Sequence, residues 1–232
     1  MKTIGLIGGM SWESTVIYYQ LLNRMARERL GGLHSAKLLL WSFDFAEIEQ
    51  FQASGDWKAA ADAMVSAARN VENGGADCIV ICTNTMHKLA GDVIAATRIP
   101  LIHIADATAS AINHQGSQRP LLLATRYTME QDFYKGHLSS EHGIEAVIPD
   151  DDGRTIVHDV IYDELCQGLV KQVSKQKYLD VVKHARDTAG IDSIIFGCTE
   201  VGLLIQQDDF DIPTFDTTEL HAKAALDFAL AE

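Results

Sequence analysis

The chain contains 232 residues, of which 47% are hydrophobic and 22% are charged, and its formal net charge is −13. These fractions are typical of a folded globular protein, and the acidic balance argues against nucleic acid or an anionic membrane surface as a partner. No stretch approaches the roughly 20 apolar residues that a membrane-spanning helix needs, and the N-terminus lacks the small-residue cleavage site of a signal peptide. We therefore expect a cytoplasmic protein that has no membrane partner.

Short β-branched runs alternate with longer amphipathic stretches along the chain, a pattern typical of a parallel sheet covered by helices. In chain order, the first half is predicted to form strands and helices over residues 3–7, 13–30, 38–43, 57–73, 78–82 and 101–104. The second half is predicted to form them over residues 120–124, 129–142, 145–148, 155–167, 174–189, 193–196, 214–215 and 218–231. Residues 44–52 are expected to be a loop, and so is the acidic run 150–153, which would cap a helix that begins near Arg154.

Three passages of the first half recur in the second half at a nearly constant spacing, which indicates a duplicated half-chain. Residues 77–85 are echoed by 192–200, residues 99–106 by 212–216, and residues 4–8 by 121–125. We expect two similar domains related by pseudo-two-fold symmetry. Because the last helix follows the strand near Thr214, residues 1–100 plus 214–232 would form one domain and residues 101–213 the other.

Polar clusters follow two of the repeated strands, where parallel sheets bind ligands. Asn84-Thr85 and Thr199-Glu200 could hold a carboxylate on the N–H groups that begin the next helices. At the spacing of the repeat, Cys198 falls opposite Thr83. Groups on opposite sides of a ligand suit inversion at a carbon next to a carboxylate, and a thiol can act as the base if its pKa is lowered.

Three motifs carry a resemblance that extends over essentially the whole chain: Ile4-Gly5-Leu6-Ile7-Gly8-Gly9-Met10, Asn84-Thr85-Met86-His87 and Gly197-Cys198-Thr199-Glu200. The chain resembles the aspartate/glutamate racemases that work without pyridoxal phosphate. That resemblance implies two α/β domains, each with a mainly four-stranded parallel sheet flanked by helices, and an active site in the cleft between them. It also implies two opposed catalytic cysteines, no metal or organic cofactor, and a homodimer.

The chain departs from the family pattern at Thr83, which stands where these enzymes usually have the first catalytic cysteine. Cys82 is its neighbour, but adjacent side chains on a strand point to opposite faces, so Cys82 should face the helix layer. A threonine hydroxyl is too weak an acid to ionise near neutral pH, so Thr83 could only donate or relay a proton. Cys198 is then the remaining side-chain base. In related racemases the second-half cysteine takes the proton from the L-enantiomer, so we expect a bias towards L-amino acids.

The resemblance also implies a set of substrate contacts. Arg126 would clamp a carboxylate, with a surface ion pair as its alternative role, and Glu200 would orient or neutralise the ammonium. Cys166 stands where aspartate racemases offer a lysine to the substrate. Residues 44–52 lack the arginine of aspartate-specific relatives, so Gln52 could bind a polar side chain instead, although an exposed loop residue is its default interpretation. The expected contacts are Met10, Ser11, Gln52, Asn84, Thr85, Thr125, Arg126, Thr128, Cys166, Thr199 and Glu200.

The sequence predicts a racemase of aspartate or glutamate and leaves other functional hypotheses open. A neutral polar substrate such as homoserine is the next candidate. A one-thiol decarboxylase or isomerase of a dicarboxylic acid would share the fold, as would a protein that binds an amino acid without converting it. A nicotinamide-dependent dehydrogenase is disfavoured, because Gly5-x-x-Gly8-Gly9 is not the dinucleotide-binding fingerprint. Four cysteines without Cys-x-x-Cys spacing predict neither a metal site nor, in a reducing compartment, disulfides.

Overall fold

A computed structural model describes residues 1–231, and they form two compact units. The first unit is Met1–Ile104 together with the stretch from His221 onward, and the second is Ala105–Leu220. Among the helices of the described residues, none combines the length and the apolar character that crossing a membrane requires.

The chain alternates strands and helices as the sequence predicts, and the elements as far as residue 104 are β1 (Ile4–Gly8), α1 (Trp12–Leu30), β2 (Leu38–Ser42), α2 (Phe45–Ser54), α3 (Trp57–Asn73), β3 (Cys78–Ile81), a 3₁₀ helix (Thr85–Leu89) and α4 (Ala90–Ala96). They are followed by α5 (Ile104–Gln115), β4 (Pro120–Leu123), α6 (Arg126–Glu130), α7 (Asp132–His142), α8 (Asp151–Asp163), a 3₁₀ helix (Leu165–Gln167), α9 (Gln172–Ala189), β5 (Ser193–Phe196), α10 (Val201–Leu204), a 3₁₀ helix (Gln207–Asp209), β6 (Thr214–Asp216) and α11 (Thr217–Leu230).

Each unit contains a parallel sheet flanked by helices, which confirms the predicted α/β class. The strand orders are β2-β1-β3 and β4-β5-β6. Ile4 lies opposite both Leu38 and Cys78 in the first sheet, and Ile194 lies opposite Leu121 and Thr214 in the second.

The expectation of mainly four-stranded sheets is not confirmed, because within residues 1–231 each sheet has three strands and a single further bridge. Leu101 bridges to Ile79, but the chain turns into α5 at Ile104, so the predicted strand 101–104 is cut short. Val147 bridges to Leu121, and Pro149 follows two residues later. Proline has no N–H to extend a ladder, so the predicted strand 145–148 also ends after one bridge.

The core of the first unit lies on both faces of its sheet, and the alternation along β3 decides which side chain enters which layer. Ile79 and Ile81 pack with apolar residues of α3 such as Met64. Cys78, Val80 and Cys82 point the other way, into a cluster with residues of α1 and α11. Cys82 therefore lies in the helix layer, as the sequence predicts.

Two segments predicted as loops are helical. Residues 45–52 form most of α2, and the Asp44 carboxylate caps this helix by accepting a hydrogen bond from the N–H of Ala46, while a left-handed Gly55 ends it. The acidic run is helical from Asp151 onward, because Asp150 caps α8 by accepting a hydrogen bond from the N–H of Gly153. Acidic residues in a first turn are favoured by the helix dipole, so the charge run starts α8 rather than preceding it.

Candidate active site

Cys198 follows β5 and donates a hydrogen bond from Sγ to Oε2 of Glu200 over 2.9 Å. Gly197 stands between the strand and the thiol because a Cβ there would lie 2.6 Å from Cδ1 of Leu122, closer than packed atoms approach. Glu200 is only 2% exposed. Cys166, from the 3₁₀ helix after α8, donates a second hydrogen bond, from Sγ to Oε1 of the same carboxylate over 3.9 Å. One buried carboxylate therefore has a thiol at each oxygen.

This environment raises the pKa of the Cys198 thiol well above its ordinary value, chiefly through burial and then through the negative potential of Glu200 and Cys166. Burial and the same acidic groups also raise the pKa of Tyr178, whose hydroxyl donates a hydrogen bond to the carbonyl of Val157 over 3.0 Å. The sequence-based mechanism needs a lowered thiol pKa, and this structure does not supply one. At neutral pH the resting Cys198 is a protonated thiol.

Thr83 follows β3 and is held through its backbone. Its carbonyl accepts a hydrogen bond from Nδ1–H of His87 over 2.8 Å, while Nε2 of His87 accepts one from the N–H of Ile104 over 3.2 Å. These partners fix the tautomer of a buried imidazole, so His87 supports the turn that carries Thr83. Asn84 and Thr85 are buried beside it, and Thr85 begins the 3₁₀ helix rather than an α-helix.

Tyr18 and His221 form a buried pair in the first unit, and the sequence did not predict this pair. Nε2–H of His221 donates to the carbonyl of Ile102 over 2.7 Å, and Nδ1 accepts from the hydroxyl of Tyr18 over 2.8 Å. The ring of His221 lies 5.5 Å from that of His87, edge on. Burial lowers the pKa of His221 from 6.5 to about 4, so the imidazole is neutral. The sequence feature that could have indicated this buried imidazole is a histidine placed among the apolar residues of α11.

Gln52 is buried in α2, so the interpretation as an exposed loop glutamine is wrong. Its side-chain amide donates a hydrogen bond to Sδ of Met86 over 3.2 Å, which brings it next to the cluster that follows β3. Met10 and Ser11 are also buried, and Ser11 caps α1 by accepting a hydrogen bond from the N–H of Ser14. The first unit thus places Gln52 beside the residue that follows Thr85.

The loop after β4 forms a separate group in the second unit. Thr125 caps α6 by accepting a hydrogen bond from the N–H of Thr128. The guanidinium of Arg126 lies 3.8 Å from a carboxylate oxygen of Glu130 and donates to the hydroxyl of Thr155 over 3.2 Å. Arg126 is 44% exposed in its side chain. Its contacts are those of a surface ion pair, which was the alternative to a carboxylate clamp.

The second unit also brings together ligand types that transition metals favour, at some distance in sequence from Cys198. Oδ1 of Asp106 on α5 lies 2.6 Å from Nε2 of His137 and 2.8 Å from Nε2 of His142, both on α7. Both imidazoles direct Nε2 at one carboxylate oxygen, which is the geometry of two hydrogen bonds to a shared acceptor. We assign this cluster no part in the reaction.

Comparisons with known proteins agree on one family. The family model described as Asp/Glu/hydantoin racemase matches residues 7–225. The chain is 53% identical to a Yersinia pestis protein of known structure named as a candidate Asp/Glu racemase, with a TM-score of 0.93 and full coverage of both chains. It is 34% identical to an aspartate racemase homologue from Pyrococcus horikoshii OT3, with a TM-score of 0.87 and full coverage of both chains. It is also 21% identical to the broad specificity amino-acid racemase RacX of Bacillus subtilis (strain 168), over 73% of this chain and 72% of that protein.

Proposed function

Because the chain belongs to the Asp/Glu/hydantoin racemase family, we propose that it racemises aspartate or glutamate, with Cys198 as the base that acts on the L-enantiomer. The observation that carries the proposal is the hydrogen bond from Cys198 to Glu200 beyond the carboxyl end of β5. A thiol on that edge of a parallel sheet stands where such sheets bind ligands.

The proposed reaction moves one proton off Cα and another onto its opposite face. The Cys198 thiolate takes the α-proton, so an S–H bond forms while the C–H electron pair becomes a carbanion delocalised into the substrate carboxylate. A proton from the Thr83 side, given by its hydroxyl or relayed by it from water, then reaches the other face. The proposal uses one group from each unit, and Thr83 and Cys198 occupy equivalent places in the sequence repeat.

The predicted bias towards L-amino acids follows from the acidities of these two groups. A threonine hydroxyl cannot supply an anionic base near neutral pH, so abstraction of the α-proton from the D-enantiomer lacks a thiolate on its side. The free energies of two enantiomers in water are equal, so the equilibrium constant stays at one and the bias is one of rate.

Buried polar groups around both strands support the proposed substrate contacts. We propose that Asn84, Thr85 and Thr199, all buried, hold the substrate carboxylate through N–H and hydroxyl donors, and that Glu200 attracts the ammonium. Met10, Ser11, Thr125 and Thr128 would complete the binding loops. We also propose a homodimer in solution, which light scattering would test.

A neutral polar side chain is the second candidate, and the immediate neighbours of Glu200 and Gln52 favour it. Cys166 is the side chain beside Glu200, and Gln52 offers an amide. The guanidinium of Arg126 contacts Glu130 and Thr155. An acidic side chain gains most from a cation, whereas a substrate hydroxyl such as that of homoserine can bond to an amide.

Chiral chromatography tests the activity directly. L-aspartate, L-glutamate and L-homoserine are each incubated with the wild type, with Cys198→Ala and with Cys82→Ala as the matched buried control. The proposal predicts the D-enantiomer from at least one of the three in the wild type and Cys82→Ala, and none in Cys198→Ala. Release of carbon dioxide would instead indicate a decarboxylase, and binding without conversion would indicate an amino-acid sensor.

A further inference from the structure

The carboxylate of Glu200 has a thiol at each of its two oxygens. Cys198 lies 2.9 Å from Oε2, and Cys166 lies 3.9 Å from Oε1. The carboxylate is buried, so these two contacts are fixed by the packing of the second unit and are not made between exposed side chains. The resemblance assigns both Cys166 and Glu200 to the substrate and does not link them to each other.

The resting thiol of Cys198 needs an acceptor for its proton before it can act as a base. If the proton left for solvent, a thiolate would remain at hydrogen-bond distance from the Glu200 carboxylate. Two like charges in so little water repel strongly. If the proton passes to the carboxylate, the total charge of the pair stays at minus one. Transfer within the pair therefore avoids the repulsion that release to solvent would create.

We propose that Glu200 is the immediate acceptor of the Cys198 thiol proton and that Cys166 positions its carboxylate for that transfer. In this step the S–H bond of Cys198 breaks, an O–H bond forms at Oε2, and the sulfur keeps the electron pair that then attacks the α-proton. The inference rests on the proposed function, because it supplies the thiolate which that function requires.

Two other titratable groups near the pair, Glu164 and Tyr178, have hydrogen-bond partners of their own. The carboxylate of Glu164 accepts a hydrogen bond from Ser174 over 2.6 Å and lies 3.4 Å from Nζ of Lys171. The hydroxyl of Tyr178 donates to a backbone carbonyl. Cys166 contributes its hydrogen bond at Oε1, so that Oε2 is the oxygen turned towards Cys198. Glu200 thus supplies a carboxylate in direct contact with the reacting sulfur.

Glu200→Gln separates a proton acceptor from a merely negative neighbour, because the two roles predict opposite results. Removing the charge makes the thiol more acidic, so the pH midpoint for alkylation of Cys198 by iodoacetamide should fall by about one unit or more. A purely electrostatic neighbour would then speed α-proton exchange. A proton acceptor predicts that exchange in deuterated water, measured at saturating amino acid, slows by at least about 100-fold, as when an acid–base group is lost, whereas loss of an ammonium contact alone would raise KM and leave the saturated rate unchanged. Exchange that is unchanged or faster in Glu200→Gln overturns the inference.

The alkylation measurement uses a Cys166→Ser background, which leaves Cys198 as the thiol outside the buried core, and it needs no turnover. If the wild type exchanges no amino acid, the proposed function fails, while an alkylation midpoint unmoved by Glu200→Gln refutes the coupling separately. Glu200→Asp keeps the carboxylate one methylene further away, so it should retain more exchange activity than Glu200→Gln if both variants fold.

The positioning role of Cys166 is tested by asking whether a conservative variant restores the activity that Cys166→Ala loses. Cys166→Ala should lower kcat by about tenfold with little change in KM, and Cys166→Ser, which keeps a donor, should recover most of it. A substrate contact would instead change KM, and by different factors for different amino acids. That result would overturn the positioning role of Cys166.

Discussion

Replacing His221 should remove a large part of the acid sensitivity of the first unit. The imidazole is fully buried and neutral, and its pKa is lowered from 6.5 to about 4. The unfolded chain therefore binds a proton at this residue more readily than the folded protein between those two values. Unfolding takes up a proton in that window, so stability is complete above the unfolded pKa and falls as the pH falls through the window.

The size of the effect follows from the two pKa values. The full difference corresponds to about 3 kcal/mol, and about 2 kcal/mol of it is lost between pH 7 and pH 5. His221→Gln keeps a donor for the carbonyl of Ile102 and an acceptor for Tyr18 but cannot titrate. Its free energy of unfolding should therefore fall by about 2 kcal/mol less than that of the wild type over the same pH interval.

Urea unfolding followed by tryptophan fluorescence is the appropriate assay, because all three tryptophans lie before residue 104 and so report on the first unit. His114→Gln makes the same substitution at an exposed histidine, and it should leave the pH dependence as in the wild type. Equal pH dependence in the wild type and His221→Gln would refute the assignment of a buried neutral imidazole.

Two further predictions test a backbone constraint and an ion pair. Gly9→Ala should lower the unfolding free energy by about 3 kcal/mol, because a Cβ would lie 2.3 Å from the carbonyl oxygen of Phe43 and the φ is +83°. Gly55→Ala, with φ +73° and, among the described residues other than its chain neighbours, no atom within 4 Å of the added Cβ, should cost only about 1 kcal/mol in the same urea unfolding assay, and equal losses would contradict this account. Arg126→Gln should change KM less than twofold and stability by less than about 1 kcal/mol, as expected for an exposed pair with Glu130. Kinetics in which KM rises tenfold at constant kcat would restore Arg126 as a carboxylate clamp.

Most of the strands and the long helices α1, α3, α9 and α11 were predictable because local pattern decides them. The predicted helix 57–73 has the bounds of α3, since its apolar residues recur at helical spacing and Asp56 caps it. The alternation along β3 likewise predicted the layer that holds Cys82. By contrast, α2 was missed, because a short helix after Asp44 can be read equally well as a polar loop.

The contacts of the candidate site were less predictable, because they join residues far apart in sequence. Cys166 and Glu200 lie 34 positions apart, and no local periodicity brings them together. The direction of the Cys198 pKa depends on burial and on those neighbours, so the sequence could name the thiol but not its resting proton state. Thr83 and its place in the repeat were visible from the sequence, whereas its support by His87 was not.

The central claim is that Cys198 removes the α-proton of an L-amino acid. The most direct test follows loss of the α-proton signal by proton NMR in deuterated water, for the L- and D-forms of aspartate, glutamate and homoserine separately. The account predicts faster exchange from an L-form than from its D-form, and loss of that exchange in Cys198→Ala but not in Cys82→Ala. Exchange that persists in Cys198→Ala, or that is faster from the D-form, would contradict it.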